Sequence, residues 1–270
     1  MDLQKSCRRL AAWVLTLALA AALALTGGAV YAMPIQTANA QESVYLINAV
    51  TGEVLLDQNS GQQRCVASLT KMMTALLLLE SGKNLDETIT VPADLTEEFQ
   101  KIRSQNGSTI LLAAGEQLRR IDLLYALLVC SANDAASVIA WDVAGSIPAF
   151  VQQMNARAAE LGMTNTVFHN ACGLDTEGHL STARDVAIMS RTILNTCPEV
   201  LHYTGIWTDT LRGGQTQLVN TNKLLRRYNG ITGLKTGTTS GAGVCISASA
   251  TREGLSLIAV VLGACLLYTS

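Results

Sequence analysis

The chain has little with which to hold a metal ion or a nucleic acid. It contains only three histidines in 270 residues, and no Cys-x-x-Cys or Cys/His pair at a metal-ligand spacing. No zinc site and no other cofactor are therefore expected. Positive charge is not in excess either: the formal net charge is −2. Asp2 against Lys5, Arg8 and Arg9 gives the first forty residues +2, which leaves −4 on the remainder. A mildly acidic chain offers no electrostatic footprint for a phosphate backbone, so nucleic acid is not an expected partner. Internal repeats, low-complexity tracts and linkers are missing. After Leu25 no stretch is long and apolar enough to cross a bilayer, since the apolar segment that follows Ser68 is interrupted by Lys71 and Glu80.

What is present begins with a leader. Lys5, Arg8 and Arg9 precede an almost unbroken apolar run from Leu10 to Leu25, and Ala38-Asn39-Ala40 offers a small-x-small cleavage site before Gln41. Val30-Tyr31-Ala32 is a second such site. Residues 1–40 read as a secretory signal peptide, with an uncleaved membrane anchor as the alternative. An exported protein of about 230 residues follows, enough for one well-cored domain. Cys7 lies in the leader; Cys65, Cys130, Cys172, Cys197, Cys245 and Cys265 remain. Six thiols allow about 15 pairings, none selected by spacing. A domain this large needs no staples, so mostly unpaired thiols are expected.

Strand-like segments stand at both ends of the mature chain. Ser43–Asn48 and Glu53–Gln58 flank a turn at 49–52. Val244–Thr251 and Leu255–Leu262 flank Arg252-Glu253-Gly254, and both arms are apolar or small, which suits central strands. Ile231–Thr239 is a further strand, entered through Asn229-Gly230. Between them the periodicity is helical: Ser68–Ser81, apolar nearly all round, then Ile121–Val129, Asp134–Val143, Pro148–Leu161 and Thr182–Leu194. Strands first and last, with helices between, imply an α+β fold: an antiparallel sheet whose ends meet in space, flanked by helices and carrying an all-helical insertion.

Three short motifs carry the chemistry. Ser68 and Lys71 are one helical turn apart and share a face. A serine hydroxyl needs a base within about 2.6–3.2 Å to become a nucleophile. Lys71 is boxed in by Leu69, Met72, Met73, Leu76 and Leu77, and burial among them disfavours its ammonium. Ser131-Ala132-Asn133 sits at a helix joint, where a second hydroxyl can relay a proton and an amide can hold a lysine and a carbonyl together. The same residues also suit an ordinary helix cap, and Ser104-Gln105-Asn106 meets the same pattern but precedes a loop. Lys235-Thr236-Gly237 lies on a strand, where an edge can pair with an extended peptide and a glycine keeps Cβ out of the way.

The three occur in order, 63 and then 104 residues apart. With their settings, Ala67-Ser68-Leu69-Thr70-Lys71-Met72, Ser131-Ala132-Asn133-Asp134-Ala135-Ala136 and Gly233-Leu234-Lys235-Thr236-Gly237-Thr238-Thr239, the sequence resembles the penicillin-recognising serine enzymes. Within them it is similar to the D-alanyl-D-alanine carboxypeptidases, the low-molecular-mass penicillin-binding proteins. Phe168-His169-Asn170, Gly173-Leu174-Asp175 and His179-Leu180-Ser181-Thr182-Ala183-Arg184-Asp185 resemble a further segment typical of them. The resemblance implies an acyl-enzyme on Ser68, with Lys71 as general base and Ser131 passing a proton to the departing D-alanine. It implies Asn133 orienting Lys71 and the substrate, Lys235 and Thr236 holding the terminal carboxylate beside Gly237, and the backbone N–H groups of Ser68 and Thr238 forming the oxyanion hole. The substrate would be a peptidoglycan stem peptide ending in D-Ala-D-Ala, with β-lactams as inhibitors, at an exported, extracytoplasmic location with association with the membrane surface. No histidine is required, so His169, His179 and His202 are expected to be structural.

The catalytic domain is expected over residues 41–264. Residues 265–270, Cys265-Leu266-Leu267-Tyr268-Thr269-Ser270, do not resemble the family's continuation into a C-terminal helix; a truncated or foreign tail is the expectation, with that helix missing and apolar sheet surface exposed. Two other functions share the motifs. A serine β-lactamase needs a deacylating base, but Glu160 and Glu177 both lack a Glu-x-x-Leu-Asn setting. A catalytically silent penicillin-binding module does not need the motifs intact.

Overall fold

A computed structural model describes residues 41–264. The leader, the tail at 265–270, Cys7, Cys265 and the question of a C-terminal helix lie outside the described residues.

The sheet is built from both ends of the chain. β1 (Ser43–Asn48) and β2 (Val54–Gln58) form the first hairpin. β7 (Ile231–Thr239), β8 (Gly243–Arg252) and β9 (Leu255–Ala264) form the last three strands. β1 pairs antiparallel with β9, from Ser43↔Leu262 to Asn48↔Leu257, and closes a five-stranded sheet in the order β2-β1-β9-β8-β7. The apolar arms of the C-terminal hairpin are central or next to central, as their composition requires. β7 is an edge strand, so one row of its backbone groups is free to pair with a ligand.

The helices lie between. α1 (Lys71–Glu80) follows a 3-10 turn at Ala67–Thr70. α2 (Thr96–Ser104) and the ribbon of β3 (Thr88–Thr90) with β4 (Gln117–Arg119) come next. α3 (Arg120–Leu128), α4 (Asn133–Ala144), α5 (Ile147–Glu160), α6 (Ala183–Thr196) and α7 (Val200–Thr204) complete the set, with β5 (Thr208–Leu211) and β6 (Thr216–Val219) as a second ribbon. α1 packs on α3, α4, α5 and α6. It is buried on nearly every side, including Met72, Met73, Ala75, Leu76 and Leu78, because its sequence has no polar face. Ser146 caps α5 by accepting from Ala149 N–H at 3.2 Å, and Thr182 caps α6 by accepting from Asp185 N–H at 3.1 Å. Tyr45 and Ile47 of β1 face the main core, while Leu46 and Leu257 form a small cluster on the sheet's other face with Leu56 and Tyr228, as strand alternation dictates.

One boundary differs instructively. The sequence pattern begins a helix at Ser68, but Ala67 is left-handed (φ +48) and the α-helical register starts only at Lys71. Ser68 therefore sits on a tight turn ahead of the helix. Cys65, Cys130, Cys172, Cys197 and Cys245 are free thiols. Among the described residues no single helix is long and apolar enough to cross a membrane.

Leu76 is fully buried in the middle of α1. Leu76→Ala should therefore lower unfolding free energy by about 2–5 kcal/mol in a urea titration, with the slope of the transition unchanged.

Candidate active site

The site lies where α1, the α3–α4 joint and β7 converge. Its centre is the Lys71 side chain, fully buried although it is a lysine. The amine Nζ has three partners: Ser68 Oγ at 2.8 Å, Asn133 Oδ1 at 2.5 Å and the Cys172 carbonyl at 2.7 Å. Burial pushes its pKa down from the ordinary lysine value to about 8, against the opposing pull of neighbouring Cys172, Cys130 and Asp134. The geometry also decides what a neutral amine does here. The amide oxygen of Asn133 and the carbonyl of Cys172 can only accept, so the two N–H bonds of a neutral amine are claimed by them. The remaining lone pair then faces Ser68, whose hydroxyl must be the donor. An ammonium would instead donate to all three.

Each group is held by its own local device. Ser68 is half-buried on the 3-10 turn. Asn133 is the first residue of α4, and its N–H donates to the Ser108 carbonyl at 2.7 Å. Ser131 is buried at the helix joint in a left-handed conformation (φ +65), which costs about 1–3 kcal/mol in a non-glycine residue. Next to it, buried Asp134 accepts from the N–H groups of Ile110 and Leu112, at 3.2 and 3.0 Å, and so fixes the segment beside the joint.

β7 supplies the opposite wall. Lys235 is buried, and its Nζ donates to the Thr236 carbonyl at 2.8 Å. Burial, and then the charge of Lys71, hold its pKa well below the ordinary lysine value. Thr236 Oγ1 donates to Thr221 Oγ1 at 2.6 Å, and Thr221 N–H donates to the Val129 carbonyl at 3.2 Å, which ties β7 to the end of α3. A Cβ on Gly237 would come within 2.6 Å of Ser68 N and 2.9 Å of Ala67 Cβ. The sequence reading gives this glycine the task of clearing room for substrate backbone; its nearest neighbour is the turn that carries Ser68. Thr238 is exposed at the rim. Thus Ser68, Lys71, Asn133 and Gly237 meet directly, whereas Ser131, Lys235, Thr236 and Thr238 surround them without a side-chain bond to Ser68 or Lys71. The decoy Ser104 lies at the end of α2.

The partner that sequence reasoning missed is a backbone atom. The Cys172 carbonyl belongs to a loop whose Asn170 Oδ1 accepts from the N–H groups of Cys172 (3.1 Å) and Gly173 (2.6 Å). Gly173 is left-handed (φ +84), and a Cβ there would fall 1.9 Å from the Ala67 carbonyl oxygen. His179 Nδ1 accepts from His169 N–H at 3.1 Å, so its Nε2–H donates to Thr70 Oγ1 at 2.8 Å. Burial, together with His169, pushes its pKa down to about 4 and keeps the ring neutral. His169 and His202 are exposed. Burial pushes the Cys65 and Cys130 thiols up, the opposite of activation. Glu160 is taken up by Arg157 at 3.0 Å, and Glu177 is exposed.

A family model described as D-alanyl-D-alanine carboxypeptidase matches residues 31–265. The D-alanyl-D-alanine carboxypeptidase DacF of Bacillus subtilis is 39% identical over 232 residues, covering 85% of this chain and 59% of that protein. DacC of Escherichia coli is 36% identical over 226 residues, covering 81% and 55%. The chain thus spans between half and two thirds of the length of these relatives. Among solved structures, penicillin binding protein 6B from Escherichia coli superposes with a TM-score of 0.76 at 36% identity, covering 82% of this chain and 71% of that one. Penicillin-Binding Protein D2 from Listeria monocytogenes, in its cefotaxime-bound form, gives 0.70 at 33% identity, covering 84% and 91%.

The contact between Gly173 and the turn that carries Ser68 is testable. Gly173→Ala places a methyl group on the Ala67 carbonyl in a conformation that already disfavours it, so it should destabilise the fold by about 2 kcal/mol or more. Gly82→Ala, left-handed (φ +70) but facing open space, is the control for backbone strain alone. Equal losses in the two variants, measured by urea titration, would show that the contact adds nothing.

Proposed function

The chain belongs to the D-alanyl-D-alanine carboxypeptidase family, and from that premise we propose that it removes the terminal D-alanine from peptidoglycan stem peptides through an acyl-enzyme on Ser68. The observation that carries this reading is the dry Lys71 amine 2.8 Å from the Ser68 hydroxyl, with its other two bonds committed elsewhere. Ser68 Oγ attacks the carbonyl carbon of the penultimate D-alanine and gives its proton to Lys71 Nζ. The negative charge that develops on the carbonyl oxygen is met by the N–H groups of Ser68 and Thr238, a type of interaction worth about 3–4 kcal/mol in other hydrolases. The tetrahedral species collapses, the C–N bond breaks, and the departing amine takes a proton relayed by Ser131. Water, deprotonated by Lys71, then releases the tetrapeptide acid. Asn133 holds the amine and the substrate amide in register. Thr236 and Lys235 receive the terminal carboxylate, which supplies the counter-charge that burial otherwise denies Lys235.

β-Lactams would acylate the same serine, as mimics of the D-Ala-D-Ala end. Glu160 is paired with Arg157 and Glu177 is exposed, and neither is hydrogen-bonded to Ser68 or Lys71, which favours the peptidase reading over that of a serine β-lactamase. The family supports an extracytoplasmic enzyme acting on the wall side of the cytoplasmic membrane.

Two results follow for a peptide ending in Lys-D-Ala-D-Ala, read as free D-alanine. Ser68→Ala should release none, and Lys71→Met should lower kcat roughly a thousandfold; wild-type yield from either refutes the reading. The active form of the base is the deprotonated one, so with its pKa lowered to about 8 the rate should climb as pH rises toward 8 and level off above it. A rate that falls over that interval contradicts Lys71 as base.

A further inference from the structure

Beyond the groups already assigned, we propose that Asp175 is a positioning residue that holds the oxyanion-binding end of β7, acting through Thr239. The inference rests on the proposed acyl-transfer function. Asp175 is exposed and belongs to the same loop that delivers the Cys172 carbonyl to Lys71. Its Oδ1 accepts from Thr239 Oγ1 at 2.6 Å, and its Oδ2 accepts from Gly241 N–H at 2.9 Å. Thr239 Oγ1 in turn accepts from Ala242 N–H at 3.0 Å. The carboxylate thereby fastens the end of β7 and the β7–β8 turn to the loop.

Strand pairing does not need this clamp. β7 and β8 are already in register through to Thr239↔Gly243. What the clamp adds is the position of the end of β7 relative to the rest of the site. On one side of Thr238, Gly237 is located by its close packing on Ser68 N. On the other side, Thr239 is located by Asp175. The residue between them carries one of the two backbone N–H donors that must converge on a single oxygen, while the other donor belongs to Ser68 on a different element. Two donors from separate segments keep their spacing only if both segments are fixed to a common part. The loop is that part: it touches the nucleophile's turn through Gly173 on Ala67 and His179 on Thr70, and the strand through Asp175.

This arrangement predicts where a loss appears. Charge on the oxyanion exists only beyond the ground state, so misplacing its donor lowers kcat. The bound peptide is held by Lys235 and Thr236, on the far side of Gly237, so KM should change little. Lys71 keeps its three partners, so the pH midpoint should stay where it is.

The full chain should be compared as wild type, Asp175→Ala, Thr239→Val, the double variant and Thr239→Ser, with rates expressed per site labelled by a fluorescent penicillin so that misfolded protein does not count. Asp175→Ala and Thr239→Val should each lower kcat per site roughly tenfold, with KM within about twofold and the pH midpoint unmoved. The double variant should lose clearly less than the product of the two single losses, because the Thr239–Asp175 bond is common to both, and Thr239→Ser should retain wild-type kcat. Per-site kcat within about twofold of wild type in Asp175→Ala overturns the proposal. So does a multiplied loss in the double variant, or a shift of the pH midpoint. If the wild type labels with penicillin but releases no D-alanine, the carboxypeptidase reading fails separately. The rate constant of penicillin acylation, which uses the same two N–H donors, then gives the same comparison among the variants.

Discussion

A lysine amine stripped of water is the constraint on which the site depends. Lys71 lies wholly inside the protein, where an ammonium is costly without compensation. Its two acceptors, Asn133 Oδ1 and the Cys172 carbonyl, satisfy either protonation state, but only the neutral state leaves an unshared pair, and that pair has one place to go. Burial and hydrogen bonding act on different things here. Burial lowers the pKa toward the range in which a base is useful near neutrality; the two acceptors fix the direction in which the base points. Either alone would leave Ser68 an ordinary alcohol.

The fold is organised to keep that amine dry. α1 is packed against α3, α4, α5 and α6, so the lysine at its first position is enclosed by neighbours and not by its own helix alone. The two walls of the cleft come from distant parts of the chain, and they meet because β1 pairs with β9 and brings the ends of the sequence into one sheet. Backbone strain occurs where the walls meet: Ala67 beside Ser68, Ser131 at the helix joint and Leu234 beside Lys235 are left-handed without being glycine. Such conformations persist only when packing over-determines them. Here the contact of Gly173 with the Ala67 carbonyl and the hold of Asp134 on Ile110 and Leu112 do so.

Much of this was legible in the chain. The long strands and helices carry enough periodicity to be placed within a few residues, and the antiparallel sheet with a helical insertion follows from their order. The motifs around Ser68, Ser131 and Lys235 announce a hydroxyl, an amine and a polar bridge. Shorter elements were not legible. β3, β4, β5 and β6 have three or four residues each, too few for any period, and α2 buries only Phe99 and Ile102, so its pattern is faint. The third partner of Lys71 could not have been read either. It is a peptide carbonyl, which every residue possesses, and its position is set by the Asn170 turn and by Gly173. The segment from Phe168 to Asp185 gave a signal as a family resemblance; the physical task of the loop became visible only with its contacts. Similarly, the glycine of Lys235-Thr236-Gly237 was legible as a position needing close approach, but not that the approaching atoms belong to the turn that carries Ser68.

The central claim concerns one proton, so the most direct measurement locates it. Neutron diffraction from perdeuterated crystals of the ligand-free protein at a pH about one unit above the Lys71 pKa should show two deuterons on Nζ, directed at Asn133 and Cys172, and a third on Ser68 Oγ directed at Nζ. Three deuterons on Nζ under those conditions, with the Ser68 deuteron turned away, would contradict the account.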